Sequence, residues 1–392
     1  MDKWHAYTNS VPKSKAFTVA SKTRVMILQT HAKNGGTQEL ARLLDEGLSA
    51  RGYEIIQVYL VHDSNFLHSE QNIVRGALAP THGILGYVRM ALLAWKYMKS
   101  LKPDLVLCMQ WGGNVLGVWA APFAGSPPLI SSQFDSPTEM PIWARRLERQ
   151  HGARGKFARI VVNSKAVERT FVEYPEAYRR HMALIEHGFR EKTSAMSKVQ
   201  ARAAFALPPD VKLIGSVSRL VPGKNFDKAI RLLTHNADWH LAIAGHGPEL
   251  DNLRQLAREL GCADRVHLLG EVNPDAVGDL LASLDVFVFP SRAETFGLAV
   301  VEAAQAGVPV VATDLPVLRE VLSVNGQAGA LFIDPNNSED FASAVSRILE
   351  DSALSQQLTE VGRRLKDRYA PEKMWDAYDR LFKEVLVEAK AG

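Results

Sequence analysis

Two glutamates eight residues apart, Glu294 and Glu302, flank Phe296-Gly297 in the stretch VFVFPSRAETFGLAVVEAAQAGVPVVATD that runs from Val286 to Asp314. Val286 to Phe289 is a short apolar run, Pro290 to Thr295 is polar, Phe296 to Ala306 has helical character and Val308 to Ala312 is β-branched, so the stretch predicts strand, loop, helix and strand. Gly307 stands where a helix C-cap belongs. The spacing places Glu294 just before the helix and Glu302 about two turns inside it, both near the free amides of Gly297 and Leu298. Such amides and the helix dipole favour an anion, which points to a ligand phosphate with the carboxylates reaching hydroxyl groups around it. A sugar nucleotide offers both. The plain structural alternative is an ordinary βαβ unit in which Glu294 balances the dipole and Glu302 is solvated.

A second set of candidates lies in SVSRLVPGKN, where Arg219 and Lys224 stand around Pro222 and Gly223 between a predicted strand and a predicted helix. Two cations on such a loop can bind a diphosphate and neutralise the charge that grows on it as a glycosidic bond breaks. Further upstream, strand-like Arg24 to Gln29 leads through His31, Lys33, Asn34, Gly35 and Gly36 into a helix from Thr37 to about Arg51. A Gly-Gly there serves a turn, a close ligand approach, or both.

Taken together these residues resemble the family-4 retaining glycosyltransferases of the GT-B fold, whose signature is a pair of glutamates eight apart with Phe-Gly between them. Here it reads Glu294, Phe296, Gly297, Glu302, followed by Ala-Gly-x-Pro-Val as Ala306 to Val310. The likeness is stronger over the C-terminal half. It implies a nucleotide-diphosphate sugar as donor substrate, no bound cofactor, and a glycan or lipid-linked saccharide as acceptor. By the same resemblance Arg219 and Lys224 take the diphosphate, the amides of Gly297 and Leu298 the distal phosphate, Glu294 a hydroxyl of the donor sugar and Glu302 the ribose hydroxyls. Gly36 and Thr37 face the cleft, Gly245 and Gly247 line the nucleotide side around His246, and Val272 falls near the base-recognition segment.

The chain departs from that pattern in two places. Glu186-His187-Gly188 stands where the family usually carries Pro-Asn-Gly. Phe134 and Asp135 stand where many members carry His-Asp, with Gln133 as the other possible counterpart of the histidine. Phe134 keeps the carbonyl that can stabilise an oxocarbenium-like centre but offers no hydrogen bond to a sugar O6. A 6-deoxyhexose or pentose donor is the resulting expectation.

Composition narrows the remaining classes. At 392 residues, 46% hydrophobic and 23% charged, the chain has apolar material for two cores. Its net charge is +3, but residues 1 to 190 hold 24 Lys and Arg against 15 Asp and Glu, leaving 22 against 28 for the rest. A basic half suits an acidic acceptor, an anionic membrane surface or nucleic acid, although the aromatic interleaving expected of a nucleic-acid module is not evident. Cys108 and Cys262 are too few for a disulfide scaffold, and the polar start and lack of a long apolar run predict a cytoplasmic protein, with the inner face of the cell membrane as a possible station. Metal motifs of the Asp-x-Asp, Cys-x-x-Cys and His-Glu-x-x-His types are absent from the sequence.

These residues need a scaffold that points loops into a cleft. Strand candidates at Glu54 to Leu60, Asp104 to Met109, Pro128 to Gln133, Arg159 to Val162 and Met182 to Ile185 alternate with helices such as Gly86 to Leu101. The alternation resumes at Lys212 to Val217, Trp239 to Ala244 and Val266 to Leu269, which predicts an α/β chain of two doubly wound Rossmann-like domains facing each other. The expected division is an arm over 1–21, an acceptor-binding domain over 22–190, a donor-binding domain over 191–370, and a terminal helix over 371–390 that rejoins the first domain. Lys192 to Gln200 reads as a polar linker. An epimerase or a non-catalytic sugar-nucleotide binding protein of the same fold is the competing reading; a phosphorylase would need a pyridoxal-phosphate lysine, of which there is no signature.

Overall fold

The computed structural model describes residues 22–31, 36–61, 73–78, 83–134 and 140–391. The arm expected over 1–21, the turn residues Lys33, Asn34 and Gly35, and the candidate Asp135 lie outside the described residues.

Seven strands form the first sheet: β1 (Arg24–His31), β2 (Glu54–Val61), β3 (Ile73–Leu78), β4 (Leu105–Met109), β5 (Leu129–Gln133), β6 (Arg159–Val162) and β7 (Met182–Leu184). All are parallel, in the order β3-β2-β1-β4-β5-β6-β7. A second parallel sheet takes β8 (Lys212–Val217), β9 (Trp239–Ala244), β10 (Val266–Gly270), β11 (Val286–Phe289) and β12 (Val310–Thr313). A two-stranded hairpin of β13 (Ser323–Val324) and β14 (Gln327–Ala328) precedes its last strand, β15 (Ala330–Ile333), and the order is β10-β9-β8-β11-β12-β15. Central strands such as LVLCM in β4 and VFVF in β11 are buried along their whole length, as continuous apolar runs must be when helices cover both faces of a sheet.

Both strand orders reverse direction once, between β1 and β4 in the first sheet and between β8 and β11 in the second. Loops leaving the carboxyl ends of strands diverge at such a point and open a crevice. Gly36 follows β1, Arg219 and Lys224 follow β8, and Glu294 to Leu298 follow β11. Topology therefore gathers the sequence-spaced candidates at the two switch points.

The helix Pro371–Ala391 lies on the first sheet's side of the molecule. Trp375 Nε1 donates to the Leu43 carbonyl (2.8 Å), Arg51 pairs with Asp376 (2.5 Å), and Arg159 pairs with Glu388 (2.5 Å). Trp375, Tyr378, Phe382 and Val385 are buried against Leu44, Leu48 and Tyr53. Two halves of the chain also touch directly: the Glu320 carboxylate accepts from the amides of Lys165 (2.8 Å) and Ala166 (2.7 Å), and Ser164 Oγ donates to the Thr295 carbonyl (3.2 Å).

Local differences from expectation have physical causes. The helix expected from Phe296 begins at Leu298, because Gly297 adopts φ +86°, a left-handed conformation that ends the preceding loop. Glu302 is accordingly the fifth residue of the helix Leu298–Gln305, a little over one turn inside it rather than two. The polar stretch read as a linker holds a helix start, since Ser197 and Gln200 form a reciprocal capping box on Lys198–Ala204. Strand β3 escaped the sequence because its apolar pattern is short and interrupted by Arg75 and Gly76; pairing with β2 defines it.

Candidate functional site

The loop after β8 is held by the turn after β9. Ser218 N donates to Ala244 O (3.0 Å), Leu220 N to His246 O (3.0 Å), and Glu249 N to Leu220 O (3.1 Å). Gly245 sits at φ +147°, where a Cβ would lie 1.8 Å from the Ser218 carbonyl oxygen. A Cβ on Gly247 would lie 2.2 Å from the Leu220 carbonyl oxygen. Neither position has room for a side chain, so the Gly-x-Gly turn is what lets the Arg219 loop approach. His246 lies between these two glycines, in the turn.

The same loop is tied to the one after β11. Asn225, itself left-handed at φ 52°, donates from Nδ2 to the Pro290 carbonyl (2.9 Å), and Arg292 N donates to Gly223 O (2.8 Å). Lys224 Nζ then reaches Glu294 Oε1 at 2.5 Å, with the ammonium also 5.4 Å from the centre of the Phe289 ring. Both side chains are mostly shielded, 18% and 11% exposed. Arg219 is exposed and forms no ion pair among the described residues. Gly297 caps the helix Leu298–Gln305 without a side-chain hydrogen bond, leaving first-turn amides free for an anion.

A cavity lies between this helix and the first-domain helix Gly36–Ser49. Gly36, Glu39, His187, Lys192, Leu298 and Glu302 line it. Gly36 is a close-approach position: a Cβ there would lie 2.4 Å from Leu298 Cδ1. Burial pushes the Glu302 carboxyl up to about 7, with Lys192 pulling it down and Glu39 pushing it up. Burial also pushes Glu39 up, but its hydrogen bond and charge pairing with Arg42, helped by Lys192 and Arg190, hold it below the usual carboxylate range. Thr37, the second residue of the helix Gly36–Ser49, is half-buried.

Phe134 is buried at the end of β5, its ring centre 5.0 Å from that of His187. Gln133 turns the other way, as alternation along a strand requires, and donates to Glu148 (2.5 Å) and Ser131 (2.9 Å) in a buried network that Tyr178 completes. His187 Nε2 stands 3.0 Å from Asn163 Nδ2, and burial pushes its imidazole down to about 3, so it is neutral.

Phe296 is 2% exposed and packs its ring against His187 (4.9 Å), Phe189 (5.4 Å) and Tyr369 (5.3 Å). It is an aromatic of the junction between the two halves, packed in the core of the second domain. Glu294 faces Lys224, whereas Glu302 faces Lys192 and Glu39. Val272 is half-buried against the core of the second domain.

Residues 197–365 match the family model described as glycosyl transferases group 1, and residues 34–190 match that of glycosyltransferase family 4. The chain belongs to the group 1 glycosyltransferases of the GT-B fold. Among solved structures, this chain superposes on sucrose-phosphate synthase from Thermosynechococcus elongatus with TM-score 0.82 at 19% identity, over 94% of this chain and 100% of that one. It superposes on HepE of Anabaena, solved with UDP and glucose, with TM-score 0.79 at 20% identity, over 93% and 100%. A curated relative, D-inositol 3-phosphate glycosyltransferase of Mycolicibacterium smegmatis, is 31% identical over 231 residues, 57% of this chain and 52% of its own. The chain spans from 20% to 64% of the length of these curated relatives, about half in most.

Lys192, Glu39 and Asn225 were not singled out as candidates from the sequence. Lys192 sits in the stretch read as linker, Glu39 is one turn into the helix after the glycine turn, and Asn225 is fitted by its αL backbone to clamp the Pro290 loop. Only Glu39 had a signal, an acid in the first turn of a predicted helix.

Proposed function

We propose that this chain is a retaining glycosyltransferase that moves a sugar from a nucleotide-diphosphate sugar to a hydroxyl of a glycan or lipid-linked saccharide. The observation that carries the reading is the Lys224–Glu294 pair, held at 2.5 Å, with Glu294 three residues before the helix N-cap Gly297 and Lys224 on the loop that carries the exposed Arg219. Cations and free amides on one side meet a diphosphate; a carboxylate on the other accepts from sugar hydroxyls.

In this reading Arg219, Lys224 and the amides of Gly297 and Leu298 hold the diphosphate and stabilise the charge it gains. Glu294 accepts from a donor-sugar hydroxyl, and Glu302 from the ribose. The C1–O bond to phosphate breaks as the acceptor oxygen bonds to C1 on the same face. The acceptor proton passes to the departing phosphate oxygen. The carbonyl of Phe134 faces the positive charge at C1. UDP in the HepE structure makes uridine diphosphate sugars the first donors to try.

Thermal shift against a panel of nucleotide sugars tests donor binding, because a ligand at ~100 times its dissociation constant stabilises by ~2.7 kcal/mol. The anomeric proton coupling of the product tests the stereochemistry. Inversion at C1, or binding without any turnover, rejects the proposal.

A further inference from the structure

The first domain carries an apolar face that is exposed among the described residues. On the helix Gly83–Leu101, Leu85, Val88 and Leu92 are 74%, 47% and 57% exposed, and they share one solvent stripe with Arg89, Lys96 and Lys99. The opposite face, with Met90, Ala94 and Met98, is the one packed on the sheet. Scattered exposed leucines are ordinary, but a stripe of them at spacings of three and four is not.

Neighbouring elements extend the face at both ends. Tyr87 packs edge-on against Trp143 (ring centres 5.1 Å), which brings in Ile142 at 61% exposure and Trp143 at 40% from the helix Ile142–Ala153. Trp95 Nε1 donates to the Phe123 carbonyl (2.9 Å), which sets Phe123, 74% exposed, beside the far end. The first helix contains no acidic residue. The second contains Glu148 alone, fully buried, while Arg146 and Arg149 are exposed.

We propose that this face docks on an anionic lipid bilayer. Leucine, valine and aromatic side chains enter the boundary region while lysine and arginine rest on the headgroups, a division of labour that suits an interfacial helix. A second copy of the chain is the poorer occupant, because pairing this face with itself would oppose Arg89, Lys96 and Lys99 to like charges. In a parallel βα unit the helix N-terminus lies at the carboxyl edge of the sheet, so Leu85 and Trp143 mark the cleft side of the face. Docking is independent of the transferase reading; resting on that reading is only the corollary that the acceptor is held in lipid near the cleft mouth.

Co-sedimentation of the full chain with phosphatidylcholine vesicles, with and without phosphatidylglycerol and free of any saccharide lipid, tests the proposal. The expected result is binding to the anionic vesicles that weakens with salt. Lys96→Glu/Lys99→Glu lowers partition by roughly fivefold or more per charge changed, and Leu85→Glu/Leu92→Glu abolishes it. These positions are exposed, so melting temperatures should match the parent, and unchanged thermal shift by nucleotide sugars keeps a failed docking test separate from a failed transferase reading. Equal sedimentation with neutral and anionic vesicles, no sedimentation with either, or variants that bind like the parent overturns the proposal. So does a dimer, seen by sedimentation equilibrium, that the same variants dissociate.

Discussion

Lys224 Nζ lies 2.5 Å from Glu294 Oε1, joining two loops whose residues are 70 apart in the chain. Each group leaves its partner in need if removed, since both are largely shielded from water. The pair therefore has a structural role and, in the proposed mechanism, a chemical one, and the two separate under mutation. Lys224→Ala should remain folded, melt at lower temperature than the parent and lose ~10² to 10³ in transfer rate. Adding Glu294→Ala should recover part of the melting temperature and none of the rate. Near-parental turnover of folded Lys224→Ala would reject the role of the cation; chelator is expected to leave transfer unchanged, and loss restored by divalent ion would reassign the charge neutralisation.

Glu302 should make nucleotide binding depend on pH. Its carboxyl is pushed up to about 7 by burial, and in the proposed function the ionised form is the one that accepts from the ribose hydroxyls. Affinity should fall as pH drops below that value, by up to ~tenfold per unit, with proton release on binding measurable by calorimetry in buffers of different ionisation enthalpy. For stability the sign is opposite: a raised folded pKa contributes stability that is fully present below the unfolded value and is lost as pH rises through about 7. Glu302→Gln should flatten both profiles. A Gln variant with the parent's pH dependence would place the titration elsewhere.

Gly245→Ala tests the close approach of the two loops. The new methyl group would lie 1.8 Å from the Ser218 carbonyl oxygen at a backbone angle that disfavours any side chain. The loop bearing Arg219 must move, so donor affinity should drop at least tenfold and stability by about 1–3 kcal/mol. Gly223→Ala is the control, since nothing lies near its would-be Cβ. Similar behaviour of the two variants, read by thermal shift with and without nucleotide sugar, would contradict the geometry.

Phe134 sets an expectation for the donor. In the proposed alignment, which sets Phe134 where the resembled family's imidazole meets O6, a sugar bearing a free 6-hydroxyl leaves that group unpaired at ~1–3 kcal/mol. A 6-deoxyhexose or pentose donor should win in competition between donors sharing one nucleotide. Clear preference for a 6-hydroxylated sugar would reject this, and His187, whose ring lies 5.0 Å from Phe134, would be the residue to examine as its partner.

The two parallel sheets were legible in the chain because buried central strands must be written as unbroken apolar runs, and VFVF, VVAT and LVLCM are such runs. Glu294, Gly297 and Glu302 were legible for a related reason: they lie on one strand-loop-helix unit, where local geometry follows from sequence spacing. What spacing could not decide is which partner each side chain meets. Glu294 turns to a lysine from another loop, Glu302 to Lys192 and Glu39, and Phe296 to Tyr369 and His187. Those pairings are non-local, fixed by strand order and by the seating of one sheet's helices against the other's loops. The exposed stripe of the helix Gly83–Leu101 is of the same kind: its sequence carries apolar residues on every side, and only packing selects Met90, Ala94 and Met98 for the core and leaves Leu85, Val88 and Leu92 to solvent.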